Sequence, residues 1–159
     1  MRRSKILGEC YYMAKSDNNP YKRQFHGAAV TYSNKIIGSG FNDSRRCFVR
    51  GKKYYSIHAE MMALMMSGLT PLSQKGKCSH KRGLYGGVQK RNYDLWVIRV
   101  GPQNKLKYSY PCNECIDMMK EYGIQRVFYS DHDGEIVCKK VSEIKMIRET
   151  CMWQKSIHF

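Results

Sequence analysis

The pairs His58-x-Glu60 and Cys112-x-x-Cys115 are the residues of this chain whose types and spacing could do chemistry. One imidazole and two thiolates make three protein ligands, the count a catalytic zinc needs if its fourth tetrahedral position is to stay open to water. Glu60 is then left over as an acid. A carboxylate beside an activated water can carry a proton to a departing amine, which is the chemistry of hydrolytic deamination. Either half alone is ambiguous, since His-x-Glu recurs by chance and Cys-x-x-Cys also serves as a redox pair or as half of a structural zinc site. Together, in this order and with Pro111 directly before Cys112, they point to one metal centre.

The surrounding patterns say which elements must hold these groups. Residues 58–66 are apolar nearly all the way round, so the spacing predicts a helix buried on both sides. Residues at i and i+2 do not share a helical face, so His58 and Glu60 converge on one ion only from the first turn, with Ser56 upstream as N-cap. Residues 112–122 put Cys112, Cys115, Ile116 and Met119 on one helical face, with Gly123 as the stop. Both thiols then lie in a first turn, where the helix dipole favours thiolate. Between these helices, residues 94–100 form an almost continuous apolar run that reads as a strand covered on both faces, and residues 125–130 read as the next. Strand, helix, strand implies a right-handed parallel crossover. Upstream, residues 4–14 predict an amphipathic helix, stopped by the Asn/Asp/Pro run at 16–20. Residues 26–32 and 35–41, joined by Ser33-Asn34, predict a tight hairpin. Residues 134–139 read as a short edge strand, and Ser142 onward as a terminal helix. His132 and His158 read as lone surface histidines.

With these motifs in this order, the chain resembles the zinc-dependent cytidine and deoxycytidylate deaminase family, whose H-x-E and P-C-x-x-C signature uses the Glu as general acid and base rather than as a ligand. The resemblance spans roughly residues 26–130. It implies an α/β, cytidine-deaminase-like three-layer fold: a mixed sheet of about five strands with helices on both faces. It implies zinc as cofactor, held by His58, Cys112 and Cys115. It also implies deamination of a cytosine nucleotide, dCMP or CMP, in which zinc activates the water that adds to C4 and Glu60 moves protons as ammonia leaves. Substrate contacts implied in the same way are Ala59, between the two motif residues, and Asn42 of Gly40-Phe41-Asn42, which in the family contacts the sugar; Asn42 reads equally well as the end of a strand. A phosphate would meet Arg45, Arg46, Arg50, Lys52 or Lys53 in the loop leading to His58. Two features depart from the commoner family patterns: Ser109-Tyr110 before Pro111, and a long basic insertion at about 70–93.

At 159 residues the chain reads as one domain, 1–159. It carries no run near the about 20 apolar residues a membrane helix needs, and Met1-Arg2-Arg3-Ser4-Lys5 leads into no signal-like stretch. Seven cysteines, two of them reserved as ligands, fit a reducing compartment. An intracellular protein, cytoplasmic or nuclear, is therefore expected. The net charge of +15 is high for a nucleotide enzyme and attracts polyanions. Residues 43–56 and 70–93 together carry eleven basic residues against the single acid Asp43. The second segment holds Lys75, Lys77, Lys81, Arg82, Lys90 and Arg91, which could bind nucleic acid or form only a solvated insertion. Two other functions stay open: a polynucleotide deaminase, with Tyr54, Tyr55, Tyr85, Tyr93, Tyr108 or Tyr110 as stacking platforms, and a deaminase-fold protein recruited as a structural or nucleic-acid-binding component, for example of a virus particle. Such relatives are encoded by large DNA viruses as well as by cells, and commonly form homo-oligomers. Cys47, Cys78 and His80 have the chemistry of a second, structural zinc site, at a spacing that matches no defined pattern.

Overall fold

A computed structural model of the chain describes residues 2–16, 25–43, 48–49, 51–53, 57–72 and 92–144. Its elements in order are α1 (Arg2–Ala14), β1 (Phe25–Tyr32), β2 (Lys35–Phe41), β3 (Phe48–Val49), β4 (Lys52–Lys53), α2 (Ala59–Met66), β5 (Tyr93–Val100), β6 (Leu106–Lys107), α3 (Asn113–Tyr122), β7 (Arg126–Ser130) and β8 (Ile136–Lys140). The main sheet runs β2-β1-β5-β7-β8, with β6 paired to β5. It is mixed: β5 and β7 are parallel, and the other pairs are antiparallel. β3 and β4 form a separate small hairpin.

The expected β1-β2 hairpin closes through Ser33 and Asn34, both at positive φ (48° and 66°), as a two-residue turn matching strand twist requires. Alternation along the strands separates two cores. On one face α1 buries Ile6, Cys10 and Ala14 against Ala29, Trp96, Ile98, Val100 and Phe128. On the other, α2 and α3 bury Met61, Leu64, Ile116 and Met119 against Ala28, Val30, Leu95, Val97 and Val127. Helices therefore cover both faces, as the three-layer expectation held. Across the strand ends, buried Asp94 takes a two-pronged ion pair from Arg126 at 2.9 and 2.7 Å, fixing the β5-β7 register.

Two expectations need correction. The N-cap of α2 is His58, not Ser56; its φ/ψ of −69°/155° is extended and its side chain makes no capping hydrogen bond. The metal ligand takes the cap position, which frees its ring for other work. Burial on both sides holds for Ala59 to Leu64 but not for Met65 and Met66 in the last turn, which are 37% and 60% exposed, because Ala63 and Ser67 are the residues of that turn that lie against Gly38 of β2. After β8 the chain makes one 3₁₀ turn, Val141–Glu143; the expected terminal helix otherwise falls outside the described residues.

The approach of α1 to the sheet depends on Gly27. A Cβ there would sit 1.9 Å from the carbonyl oxygen of Cys10 and 2.9 Å from the nitrogen of Ala14, both backbone atoms with nowhere to go. Gly27→Ala is accordingly expected to cost about 3 kcal/mol, the upper end of the range for overpacking, read as a lower thermal unfolding midpoint. An unchanged midpoint would mean that α1 docks more loosely than the contact implies.

Candidate metal centre and active site

The crossover from β5 through α3 to β7 brings the two motifs together. His58 ends the stretch entering α2, and Cys112 is the N-cap of α3, its Sγ accepting the Cys115 N–H at 3.5 Å. α3 closes at Gly123 in the left-handed conformation (φ 77°), with Ile124 N–H returning to the Met119 carbonyl at 2.9 Å. This seats both thiols at a helix N-terminus, as the spacing predicts. The segment before Pro111 is pinned by buried Ser109, whose Oγ donates to the Val97 carbonyl at 3.0 Å and lies 2.7 Å from Ser130 Oγ. Ser109 N–H also donates to the Ser130 carbonyl at 2.9 Å. Ser109 thus ties the approach to Cys112 onto the ends of β5 and β7, a positioning role that its sequence context did not signal.

The Nδ1 of His58 lies 3.4 Å from Cys112 Sγ and 3.3 Å from Cys115 Sγ, and all three ligand atoms fall within 4.8 Å of one another. Tetrahedral zinc with bonds of about 2.3 Å to sulfur and 2.0 Å to nitrogen separates an N and an S by about 3.6 Å, so the donors present fit the ion closely. They form the one such grouping among the described residues. Burial pulls the His58 ring down, but hydrogen bonding and charge from Cys112, with Glu60 and Glu114, outweigh it and push the ring up to about 9. The hydrogen bond from Cys115, helped by His58, holds Cys112 down at about 4 against its burial. Cys115 is raised well above an ordinary thiol by its hydrogen bond with Cys112 and by burial. One thiolate shared between a thiol and an imidazolium is an arrangement that a divalent cation can replace, displacing protons.

Glu60 sits on the first turn of α2, 6% exposed, with its carboxyl raised by burial and by Cys112 although His58 pulls it down. A carboxyl raised in this way is a stronger base than an exposed one, which suits it to take up a proton and hand it on. Ala59, between it and His58, is fully buried. Asn42 is 7% exposed and its Oδ1 accepts the His26 N–H at 3.1 Å, so it stands at the end of β2 already oriented by β1. The paired bonds Asp43 N–H to Ile57 O and Ile57 N–H to Asp43 O, both 2.9 Å, bring the residue after Asn42 against the residue before His58. The loop 44–56 therefore leaves and returns beside the metal centre, as its place before His58 suggested. Of its basic residues, Lys52 points its Nζ to within 3.6 Å of Glu114 Oε1 on α3, and Lys53 is exposed. Arg45, Arg46 and Arg50 lie outside the described residues, as do Ser56, Tyr54, Tyr55, Tyr85, all of Lys75, Lys77, Lys81, Arg82, Lys90 and Arg91, and the second-site candidates Cys47, Cys78 and His80.

Two further features emerge only from the fold. His26, on β1, is held down at about 3 by burial, by Arg99 and by His58, so its ring is neutral at pH 7. Tyr108 stacks on His132 at 4.0 Å between centroids and lies parallel to Tyr110 at 6.0 Å, while Tyr110 meets Tyr129 edge-on. His132 is thus part of an aromatic stack beside Pro111 rather than a lone surface histidine.

Residues 1–131 match the family model described as the cytidine and deoxycytidylate deaminase zinc-binding region. Comparison with curated protein sequences finds no match. Among solved structures, the chain is similar to a cytidine deaminase from Burkholderia pseudomallei (TM-score 0.55, 16% identity, 90% of this chain and 95% of that one). It is also similar to a cytidine deaminase from Mycobacterium tuberculosis (TM-score 0.50, 16% identity, 90% and 93%). A dCMP deaminase from the cyanophage S-TIM5 aligns at TM-score 0.49 and 18% identity, over 83% and 85%. At these identities the two cytidine deaminases establish the fold, and the motif geometry has to supply the chemistry.

Proposed function

Because the chain belongs to the cytidine and deoxycytidylate deaminase zinc-binding family, we propose that it hydrolytically deaminates a cytosine nucleotide, dCMP or CMP, to the uracil form. The observation that carries this reading is the convergence of His58, Cys112 and Cys115 within 4.8 Å beside the buried carboxyl of Glu60. Zinc held by those three residues supplies Lewis-acid activation of water at neutral pH. The chain's own residues do the rest. Glu60 takes a proton from the attacking water and delivers it to N3 as the oxygen adds to C4, then carries the remaining hydroxyl proton to the exocyclic nitrogen, so that ammonia leaves as the C4 carbonyl forms. Burial at the first turn of α2 keeps bulk water from short-circuiting that transfer. Asn42, oriented through His26, offers its amide to the sugar. No helix among the described residues is long and apolar enough to cross a membrane, and none of this chemistry calls for one.

The test is ammonia release from dCMP, CMP, cytidine, adenosine and short single strands at two salt concentrations. Turnover of a cytosine mononucleotide is expected; release from adenosine alone, or from none, would overturn the proposal. A second reading, deamination within single-stranded nucleic acid, draws support from the Tyr108-Tyr110 stack beside the metal ligands, since base stacking on such rings is sequence-tolerant. If that reading holds, single strands outpace mononucleotides and their binding weakens with salt by roughly 0.7 log units per neutralised phosphate for each tenfold in salt. Replacing Lys75, Lys77, Lys81, Arg82, Lys90 and Arg91 by Ser then flattens the slope. A mononucleotide preference with no salt-sensitive strand binding removes this second reading.

A further inference from the structure

The sheet carries a row of polar side chains that the motif logic does not use. Gly27 faces Cys10 of α1, so its neighbour His26 faces the opposite side, that of α2. The same face is marked by Gly40, whose Cβ would meet Met62 of α2 at 2.6 Å, and by its register partner Ala28. His26 pairs with Arg99 on β5, and Arg99 pairs with Lys107 on β6. Directly opposed residues share a face. Arg99 alternates with Leu95 and Val97, which belong to the α2 and α3 core. His26, Arg99 and Lys107 therefore stand side by side across three strands, with Asn42 beyond His26 at the other end.

This row lies at the metal-centre end of the sheet. It sits at the carboxyl end of β5, where open α/β sheets bind ligands. α2 runs from His58 back along β2, Met62 over Gly40 and Ser67 over Gly38, so its N-terminus is the end nearest Asn42. Arg99 is half-buried, and among the described residues no carboxylate lies within ion-pair distance of it or of Lys107. A partly desolvated guanidinium without a counter-charge is costly unless a ligand supplies one. At about 4.8 Å per strand the four-residue row spans about 14 Å, enough for a nucleotide lying across it.

We propose that Arg99 and Lys107, flanked by His26, form the subsite for the 5′-phosphate of the substrate nucleotide, with the sugar toward Asn42. The proposal rests on the cytosine-nucleotide reading above and moves the phosphate from the 43–56 loop, where Lys52 is engaged by Glu114, onto the sheet. It makes the protein a mononucleotide enzyme rather than a nucleoside enzyme.

Binding of 2′-deoxyuridine 5′-monophosphate and of 2′-deoxyuridine to the zinc-loaded full-length protein, measured by calorimetry, isolates the phosphate. The wild type is expected to prefer the monophosphate by about a hundredfold, Arg99→Gln to lose about tenfold or more of that preference, and Arg99→Lys to restore part of it. Lys107→Ser, at an exposed position, should lose about threefold, and Lys35→Ser, at the far hairpin end of the sheet, should lose none. Equal binding of both ligands by the wild type overturns the proposal. So does a preference that survives both Arg99→Gln and Lys107→Ser, or one that Lys35→Ser erodes equally. An Arg99-dependent preference without ammonia release from dCMP leaves the subsite standing and removes the activity. Deamination of dCMP with a preference indifferent to Arg99 and Lys107 does the reverse.

Discussion

Glu60→Gln is expected to keep the fold and the zinc while lowering ammonia release by about 10²- to 10⁴-fold. The side chain is buried on the first turn of α2, one residue past Ala59, and its amide replacement has the same shape and the same place to sit. What the amide lacks is a basic oxygen that can take up a proton and release it. Burial raises the Glu60 carboxyl above the ordinary carboxylate range, and Cys112 adds to the effect while His58 opposes it, which makes the carboxylate a stronger base toward the attacking water. Glu60→Asp draws the carboxyl back by one methylene, so it should retain the proton but lose reach, with a rate between wild type and the amide. Metal analysis alongside the kinetics decides the assignment. A Glu60→Gln protein stripped of zinc would make Glu60 a ligand, and one that turns over normally would move the proton chemistry elsewhere.

The metal-bearing part of this protein was legible in its sequence because its constraints are local. Cys112 and Cys115 are one helical turn apart, Gly123 stops that helix by a conformation few other residues adopt, and Ser33-Asn34 closes a hairpin by the same kind of preference. Pairing His58 with the two thiols rested on the order of the two motifs, with Pro111 directly before Cys112, and the crossover rule added only where α3 begins. Registers were not legible. Nothing in the residues around 26, 99 and 107 says that they are neighbours, because a β ladder pairs positions 73 residues apart without leaving a local signal. Ser109 was invisible for the same reason: its partners Val97 and Ser130 lie on two different strands. The N-cap of α2 was misread in a more instructive way. Ser56 has the better intrinsic capping propensity, yet His58 occupies the cap because its ring has to leave the helix axis to face the thiols, and this tertiary demand outweighs a preference of about 1 kcal/mol.

Removing the thiolates should remove the zinc and with it essentially all turnover. Cys112→Ala together with Cys115→Ala leaves His58 as the sole ligand, and zinc content is expected to fall from about one per chain to none. The fold should survive, at a lower unfolding midpoint, because α2 and α3 are held to the sheet by Met61, Leu64, Ile116 and Met119 independently of the ion. The shift in midpoint then combines the binding free energy of the metal at the concentration used with the loss of the Cys112 cap and of the buried Cys115 thiol, and comparison with the metal-free wild type separates the two. Uptake should also depend on pH. His58, pushed up to about 9, and Cys115, raised well above an ordinary thiol, carry protons at neutral pH that must leave before either atom can ligate. Binding therefore releases two protons, and affinity should fall by about a hundredfold, ten for each proton, for each unit that the pH is lowered through 8, 7 and 6. Competition against a chromophoric chelator at those three values reads the slope directly. Affinity that does not change with pH would mean that the three ligand atoms are already deprotonated, and zinc that survives loss of both thiols would place the metal somewhere other than between α2 and α3.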